Sequence, residues 1–255
     1  MYLKHLKPAF LALGFALCFS FQSLAQQNKT LAQLVNETMD LRRQNNYWKG
    51  LSPFRSFIKD SAQAMINAFA PYTNDSLENI RSLAYSAIAV SGQKSNVLTV
   101  RQQAVDILTT GCRDKEASLR KNIAGQLENF LKNDFTAASI QKLTSLLNLE
   151  ETYFSNTIKL IGFLDLKDQI PVLKTMLDSG LVKNRTQIWD VHLTLARLEV
   201  PEEITYCVDF VRKTGLSDQV VYNLFPDLVY IRAKEATDYI IEVLNRDSKD
   251  CFSPN

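Results

Sequence analysis

The chain has 255 residues with 29 Lys and Arg against 27 Asp and Glu. Two of the lysines fall in an N-terminal leader, so 27 charges of each sign remain, a balance that argues against nucleic acid or an anionic membrane as the main partner. Only 8 Gly and 7 Pro, with no Gly/Ser/Pro-rich linker, suit helices joined by short turns within one elongated unit.

The leader spans residues 1–25: Lys4 and Lys7 precede an apolar run from Pro8 to Phe21, interrupted only by Gly14 and Ser20, and Ser23-Leu24-Ala25 supplies a small-x-small cleavage site. Cleavage is expected between Ala25 and Gln26, giving a secreted or periplasmic protein. The apolar run is shorter than the ~20 residues a spanning helix needs, and no later segment is apolar enough to span either. Leu17 is too large for the residue that precedes a lipidated Cys, which argues against an anchor at Cys18. Charge is unevenly spread: residues 26–125 carry 13 basic and 8 acidic side chains, residues 126–255 carry 14 and 19. That polarity could orient a partner or favour head-to-tail self-association.

Apolar residues then recur at three- and four-residue intervals almost throughout, with no alternation long enough for a strand, so the fold class is all-α. Residues 26–72 read as an opening helical hairpin or cap: Leu31, Leu34, Val35, Thr38 and Leu41 draw one stripe, and Phe54, Phe57, Ile58, Met65, Ile66 and Phe69 another, with Trp48 to Pro53 as the turn. Residues 73–247 repeat. A shift of 39 takes Ile80, Arg81, Ala84 and Ile88 to Leu119, Arg120, Ile123 and Leu127. A shift of 34 takes Phe154, Ile161, Leu164, Ile170, Leu173, Met176 and Leu177 to Ile188, Leu195, Leu198, Ile204, Cys207, Phe210 and Val211, and a shift of 33 continues Cys207, Phe210 and Val211 to Ile240, Val243 and Leu244. Pro226 should kink or divide its helix. Residues 248–255 form a tail.

A fixed period in this range marks stacked helical hairpins, because one pair cannot bury its own apolar stripe. Gly162-Phe163-Leu164-Asp165-Leu166-Lys167-Asp168-Gln169-Ile170-Pro171-Val172-Leu173 resembles the turn between units of HEAT-repeat proteins of the armadillo-like class: Gly, a short acidic turn, then Ile-Pro-x-Leu opening a helix. In the next copy Ala196 replaces the Gly, and Pro201 comes earlier relative to Ile204. The resemblance implies an α-α superhelix acting as a scaffold or adaptor, and it names no partner. A tetratricopeptide-like adaptor ranks second, since its Trp-x-x-Leu-Gly-x-x-Tyr pattern occurs in no copy.

Chemistry is sparse. After the leader the only histidine is His192, so a His-rich metal site and HExxH are ruled out, and G-x-S-x-G, P-loop and G-x-G-x-x-G patterns are absent; no cofactor or metal is expected. His192 aligns with Ile158 on an apolar stripe, which makes it a packed imidazole before a catalytic base. Cys207 sits at a core position and reads as a small hydrophobe; with Cys112 and Cys251 it makes an odd number of cysteines, and Cys251 invites a pairing hypothesis. Glu150-Glu151 and Glu202-Glu203 lie at helix starts, where acids meet the dipole favourably. Arg42, Arg43, Tyr47 and Trp48 form the candidate partner-binding cluster, Arg, Tyr and Trp being the side chains that most often dominate binding energy; the competing role of Tyr47 and Trp48 is to seal the end of the stack. The expectation is an exported, non-enzymatic scaffold or adaptor for another protein. The alternative is an envelope enzyme or accessory subunit using His192 with a nearby Cys or carboxylate.

Overall fold

The computed structural model describes residues 29–45, 49–148, 157–214 and 218–250. The leader with Ala25 and Gln26, Tyr47 and Trp48, Glu150 and Glu151, Phe154 and Cys251 lie outside the described residues. Within them the fold is all-α: thirteen α-helices joined by short turns and 3-10 segments, and no strand. In chain order these are α1 (Leu31–Arg43), α2 (Arg55–Asp60), α3 (Ala62–Phe69), α4 (Glu78–Lys94), α5 (Leu98–Gly111), α6 (Ala117–Leu127), α7 (Ala137–Thr144), α8 (Ile158–Phe163), α9 (Ile170–Asp178), α10 (Arg185–Arg197), α11 (Pro201–Thr214), α12 (Asp218–Ile231) and α13 (Lys234–Asp250). Among the described residues no helix is long and apolar enough to cross a membrane.

Contacts run between neighbours in sequence. Helix α4 packs on α3, α5 and α6, α5 also on α7, and further along α10 packs on α8, α9, α11 and α12, with α13 against α11 and α12. A helix held on several sides cannot keep a polar face, and α4 buries ten of its 17 residues, from Ile80 round to Gly92. One apolar core extends from Val35 to Val200, and a second comprises Leu193, Ala196 and residues of α11 to α13. Helix α10 belongs to both, with Val191 and Leu195 in the first core and Leu193 and Ala196 in the second.

Three successive helices open in the same way. The side chains of Asp75, Ser95 and Asp114 each accept the backbone N–H two residues on, at 3.0, 3.1 and 2.9 Å, three residues before α4, α5 and α6 begin. Six residues after each comes an arginine, Arg81, Arg101 and Arg120, whose Nη1 donates back to the carbonyl of that same turn residue at 3.0, 3.1 and 2.7 Å. Arg81 then closes a two-point pair with Asp114, Nε to Oδ2 at 2.7 Å and Nη2 to Oδ1 at 2.9 Å, both side chains being 5% exposed. Arg101 repeats the step to Asp134 at 2.7 Å, while the other Asp134 oxygen accepts the N–H of Leu131. All three turns are thereby fastened to their own helices, and the first two also to a turn further along.

The 39-residue shift maps buried residues onto buried residues at all four positions, Arg81 and Arg120 included. The 34-residue shift is matched in backbone detail. Asp165 and Glu199 both take the left-handed conformation, φ 61° and 66°, and both end their helices in Schellman geometry: Leu166 N–H donates to Ile161 O, and Val200 N–H to Leu195 O, each at 3.1 Å.

Several expectations are corrected. The second stripe of the opening segment is two helices, α2 and α3, broken at Ser61, where φ −146° and ψ 46° leave the helical region. Leu41 is exposed rather than part of its stripe. Phe210 is 42% exposed where Met176 is buried, because it stacks on Trp189 instead of entering the core. In α13 the buried set is Ala236, Tyr239 and Val243, 32 residues after Ile204, Cys207 and Val211, and Leu244 is 58% exposed. Helix α13 packs chiefly on α11 and α12, its buried residues lie on a single face, and its register slips by one. Helix α12 runs undivided through Pro226.

Burial of the Asp114 carboxyl works against its charged form, but the Arg81 guanidinium and the Glu116 N–H outweigh burial and hold it below the usual carboxylate range. Asp114→Ala should cost about 3–5 kcal/mol in urea unfolding by stranding a buried guanidinium, and Arg81→Met with Asp114→Leu should recover much of it. A depressed folded pKa contributes stability above the ordinary carboxylate range that is lost as pH falls through the folded value, so acid unfolding of the double variant should begin at lower pH than its overall stability alone would give.

Candidate functional site

The end of α1 provides Arg42 and the exposed Arg43, and both bond to other parts of the chain. Arg42 Nε donates to Asn79 O at 2.7 Å while Asn79 Nδ2 donates to Arg42 O at 3.1 Å, joining α1 to α4. Arg43 pairs with Asp75 at 2.8 Å and with Asp40, and lies 6.0 Å from the centre of the Tyr72 ring. These guanidiniums tie the first helix to the next turn.

A different cluster has the features of a site. Lys159 on α8 reaches Asp190 on α10 at 3.2 Å and Asp227 on α12 at 3.0 Å. The other Asp227 oxygen accepts the indole N–H of Trp189 at 2.8 Å, and the Tyr230 hydroxyl donates to Lys159 O at 2.6 Å. Burial disfavours the Lys159 ammonium, yet the two carboxylates outweigh it and its pKa is raised; burial raises Asp190 despite Lys159. Three helices are thus joined through one cation, and Trp189 is fixed in azimuth by its hydrogen bond.

From Trp189 a row of rings crosses to α11. Trp189 and Phe210 have centroids 4.8 Å apart, Phe210 and Tyr206 6.4 Å, and Tyr206 and His192 4.2 Å. The far end is fixed as the near end is, by a carboxylate: His192 Nδ1 lies 2.6 Å from Glu203 Oε2. The row follows from helical spacing, since Trp189 and His192 are three apart on α10 and Tyr206 and Phe210 four apart on α11. Tyr206 and Phe210 stand 45% and 42% exposed, in positions occupied one 34-residue shift earlier by Val172 and Met176. Aromatic side chains in aliphatic repeat positions were the available sequence signal, and periodicity counting, which treats both as apolar, passed over it.

His192 is partly buried, as its place on an apolar stripe predicts. Glu202 and Glu203 do open α11, Glu202 also bonding Lys174 at 2.7 Å. Cys207 is buried, and burial foremost, then Glu203 and Asp227, pushes its thiol up to about 12; Cys112 is pushed up to about 12 by burial alone. The imidazole therefore meets a carboxylate, and the nearby thiol is held protonated in the core. Among the described residues no group of three or more His, Cys, Asp or Glu side chains is placed to hold a metal ion.

Tyr230 also explains Gly162. A Cβ at 162 would collide with the Tyr230 hydroxyl and come within 3.1 Å of Arg197 Cγ. Gly162→Ala should destabilise by about 1–3 kcal/mol, and Tyr230→Phe should absorb part of that loss in a double-mutant cycle read by thermal and urea unfolding. Comparison with protein-family models, with curated proteins and with solved structures found no match to the chain.

Proposed function

We propose that the chain is an exported, non-enzymatic HEAT-like α-α superhelix that serves as a scaffold or adaptor, holding another protein in the periplasm, at the envelope or outside the cell. The superhelical reading is supported by the spacing of the bonds that tie one helix to another: Arg81 to Asp114, Arg101 to Asp134 and Arg197 to the Tyr230 carbonyl each span 33 residues. Local units tied together at a repeating interval are what a solenoid requires.

The row Trp189, Phe210, Tyr206 and His192 carries the partner-binding reading. Binding energy concentrates in aromatic side chains that are already ordered, because they present large amphipathic surface and lose little rotamer freedom on association. Both ends of this row are anchored by carboxylates, at Asp227 and Glu203, while its middle stands open to a partner. A chemical role for His192 is the competing reading, favoured only by the short contact to Glu203, which could orient an imidazole base.

A photo-cross-linking residue at position 206 of the full-length exported protein should capture a protein partner in the native envelope. With that partner purified, Tyr206→Ala combined with Phe210→Ala should weaken binding by roughly 30-fold or more, at the level of two binding hot spots, with helical content unchanged. Unaltered binding would overturn the aromatic row as the docking surface. Loss of in vivo function in a folded His192→Ala protein that still binds the partner would favour the enzymatic reading.

A further inference from the structure

A cleft of about 390 Å³ lies where the turn before α4 meets the turn before α6, walled by residues 73–76 and 110–115. Its two carboxylates are already engaged. Asp75 holds Arg43 and the Leu77 N–H, and Asp114 holds Arg81 and the Glu116 N–H. Each is kept in its charged form by these bonds, its pKa lowered, and each is neutralised by a guanidinium, so the pair offers no vacant ligands to a cation.

The remaining cations of the cleft are Arg113 and Lys115, both exposed; among the described residues neither lies within ion-pair distance of a carboxylate, and Lys115 adds, more weakly than Arg81, to the charge that holds Asp114 ionised. Arg113 Nη2 donates to the neutral Ser145 hydroxyl at 2.7 Å, and Lys115 makes a long contact, 3.5 Å, to Ser76 O. Tyr85 lines the same cleft and is only 6% exposed. Its ring is set by Gly111, where an added Cβ would lie 2.6 Å from Tyr85 Cε1, so the hydroxyl is held in one place. That hydroxyl donates its one proton to Thr73 O at 3.5 Å, the outer limit for a hydrogen bond, a weak contact that a closer acceptor in the cleft would replace. Burial foremost pushes the phenol up to about 12, which keeps it a donor at neutral pH. The cleft also sits in the basic part of the chain, residues 26–125 carrying 13 Lys and Arg against 8 Asp and Glu.

We propose that this cleft binds a small molecule bearing a phosphate or carboxylate group, with the Arg113 guanidinium, the Lys115 ammonium and the Tyr85 hydroxyl as donors to its oxyanion. A planar guanidinium and a compact ammonium are complementary means of holding such oxygens, and a sheltered neutral hydroxyl adds direction to the charge. The inference is independent of the aromatic row, which lies on α10 and α11.

The experiment is a calorimetric titration of the mature full-length protein with inorganic phosphate and, separately, with citrate, at constant ionic strength maintained with chloride. Saturable binding of either probe is expected, the preferred one distinguishing a phosphate from a carboxylate ligand. Arg113→Gln with Lys115→Gln, both at exposed positions that leave the fold intact, should weaken it at least tenfold. Tyr85→Phe should weaken it several-fold with an unchanged circular dichroism spectrum, and Lys213→Gln on α11 should leave it unaltered. Absence of saturable binding by both probes, or undiminished binding in the Arg113/Lys115 double variant, would overturn the proposal.

Discussion

The fold depends on a buried ion pair placed at a turn rather than within a helix. Short helices such as α6, of 11 residues, are marginal in water on their own, and they persist because neighbours cover their apolar faces. Covering fixes that helices associate but leaves their relative sliding weakly determined, since apolar contact is non-directional. The two-point bond from Arg81 to Asp114 supplies direction. It admits one angle and one distance between α4 and the turn before α6, while the same guanidinium grips the Asp75 and Ser76 carbonyls behind it. Replacing such a pair by apolar groups need not lower stability, so its contribution here is to alignment, and it also satisfies turn carbonyls that burial would otherwise leave bare.

Much of this was written in the sequence as repeated letters. Ile80, Arg81, Ala84 and Ile88 are matched by Leu119, Arg120, Ile123 and Leu127, and an arginine recurring within an apolar stripe is explained once it is seen to bond the carbonyl of a turn aspartate that also recurs, Asp75 and Asp114. The middle member, Ser95 with Arg101, was hidden because Ser replaces Asp at the turn and the interval is half the apolar period. The slip in α13 was hidden for another reason. Periodicity states which residues are apolar but not how many neighbours a helix has, and a helix covered on one side can rotate by a residue at little cost. Composition does not show pairing either: Arg42 and Arg43 have the identity of binding residues, and their bonds to Asn79, Asp40 and Asp75 are visible only in the fold.

The aromatic row and the cleft differ in charge because they belong to different parts of that framework. At the cleft, the turn carboxylates are paired with Arg43 and Arg81, and Arg113 and Lys115 form no close pair with a carboxylate. Near the row the balance is reversed: Lys159 serves both Asp190 and Asp227, and Glu203 is given to His192. One cation against two carboxylates leaves local negative charge beneath exposed rings, and rings present a negative face of their own.

Helix α10 connects these regions mechanically. It faces one apolar core with Val191 and Leu195 and the other with Leu193 and Ala196, and it carries Trp189 and His192 between them. An opening in α11 to α13 therefore reaches α8 by two routes, through α10 and through the direct bonds of Asp227 and Tyr230 on α12 to Lys159. Because packed cores yield in discrete steps rather than continuously, the rings on α10 keep their spacing until that whole contact is lost. Trp189 and His192, mounted on the helix shared by the two cores, are thus held by both, while Tyr206 and Phe210 on α11 rest on the second core alone.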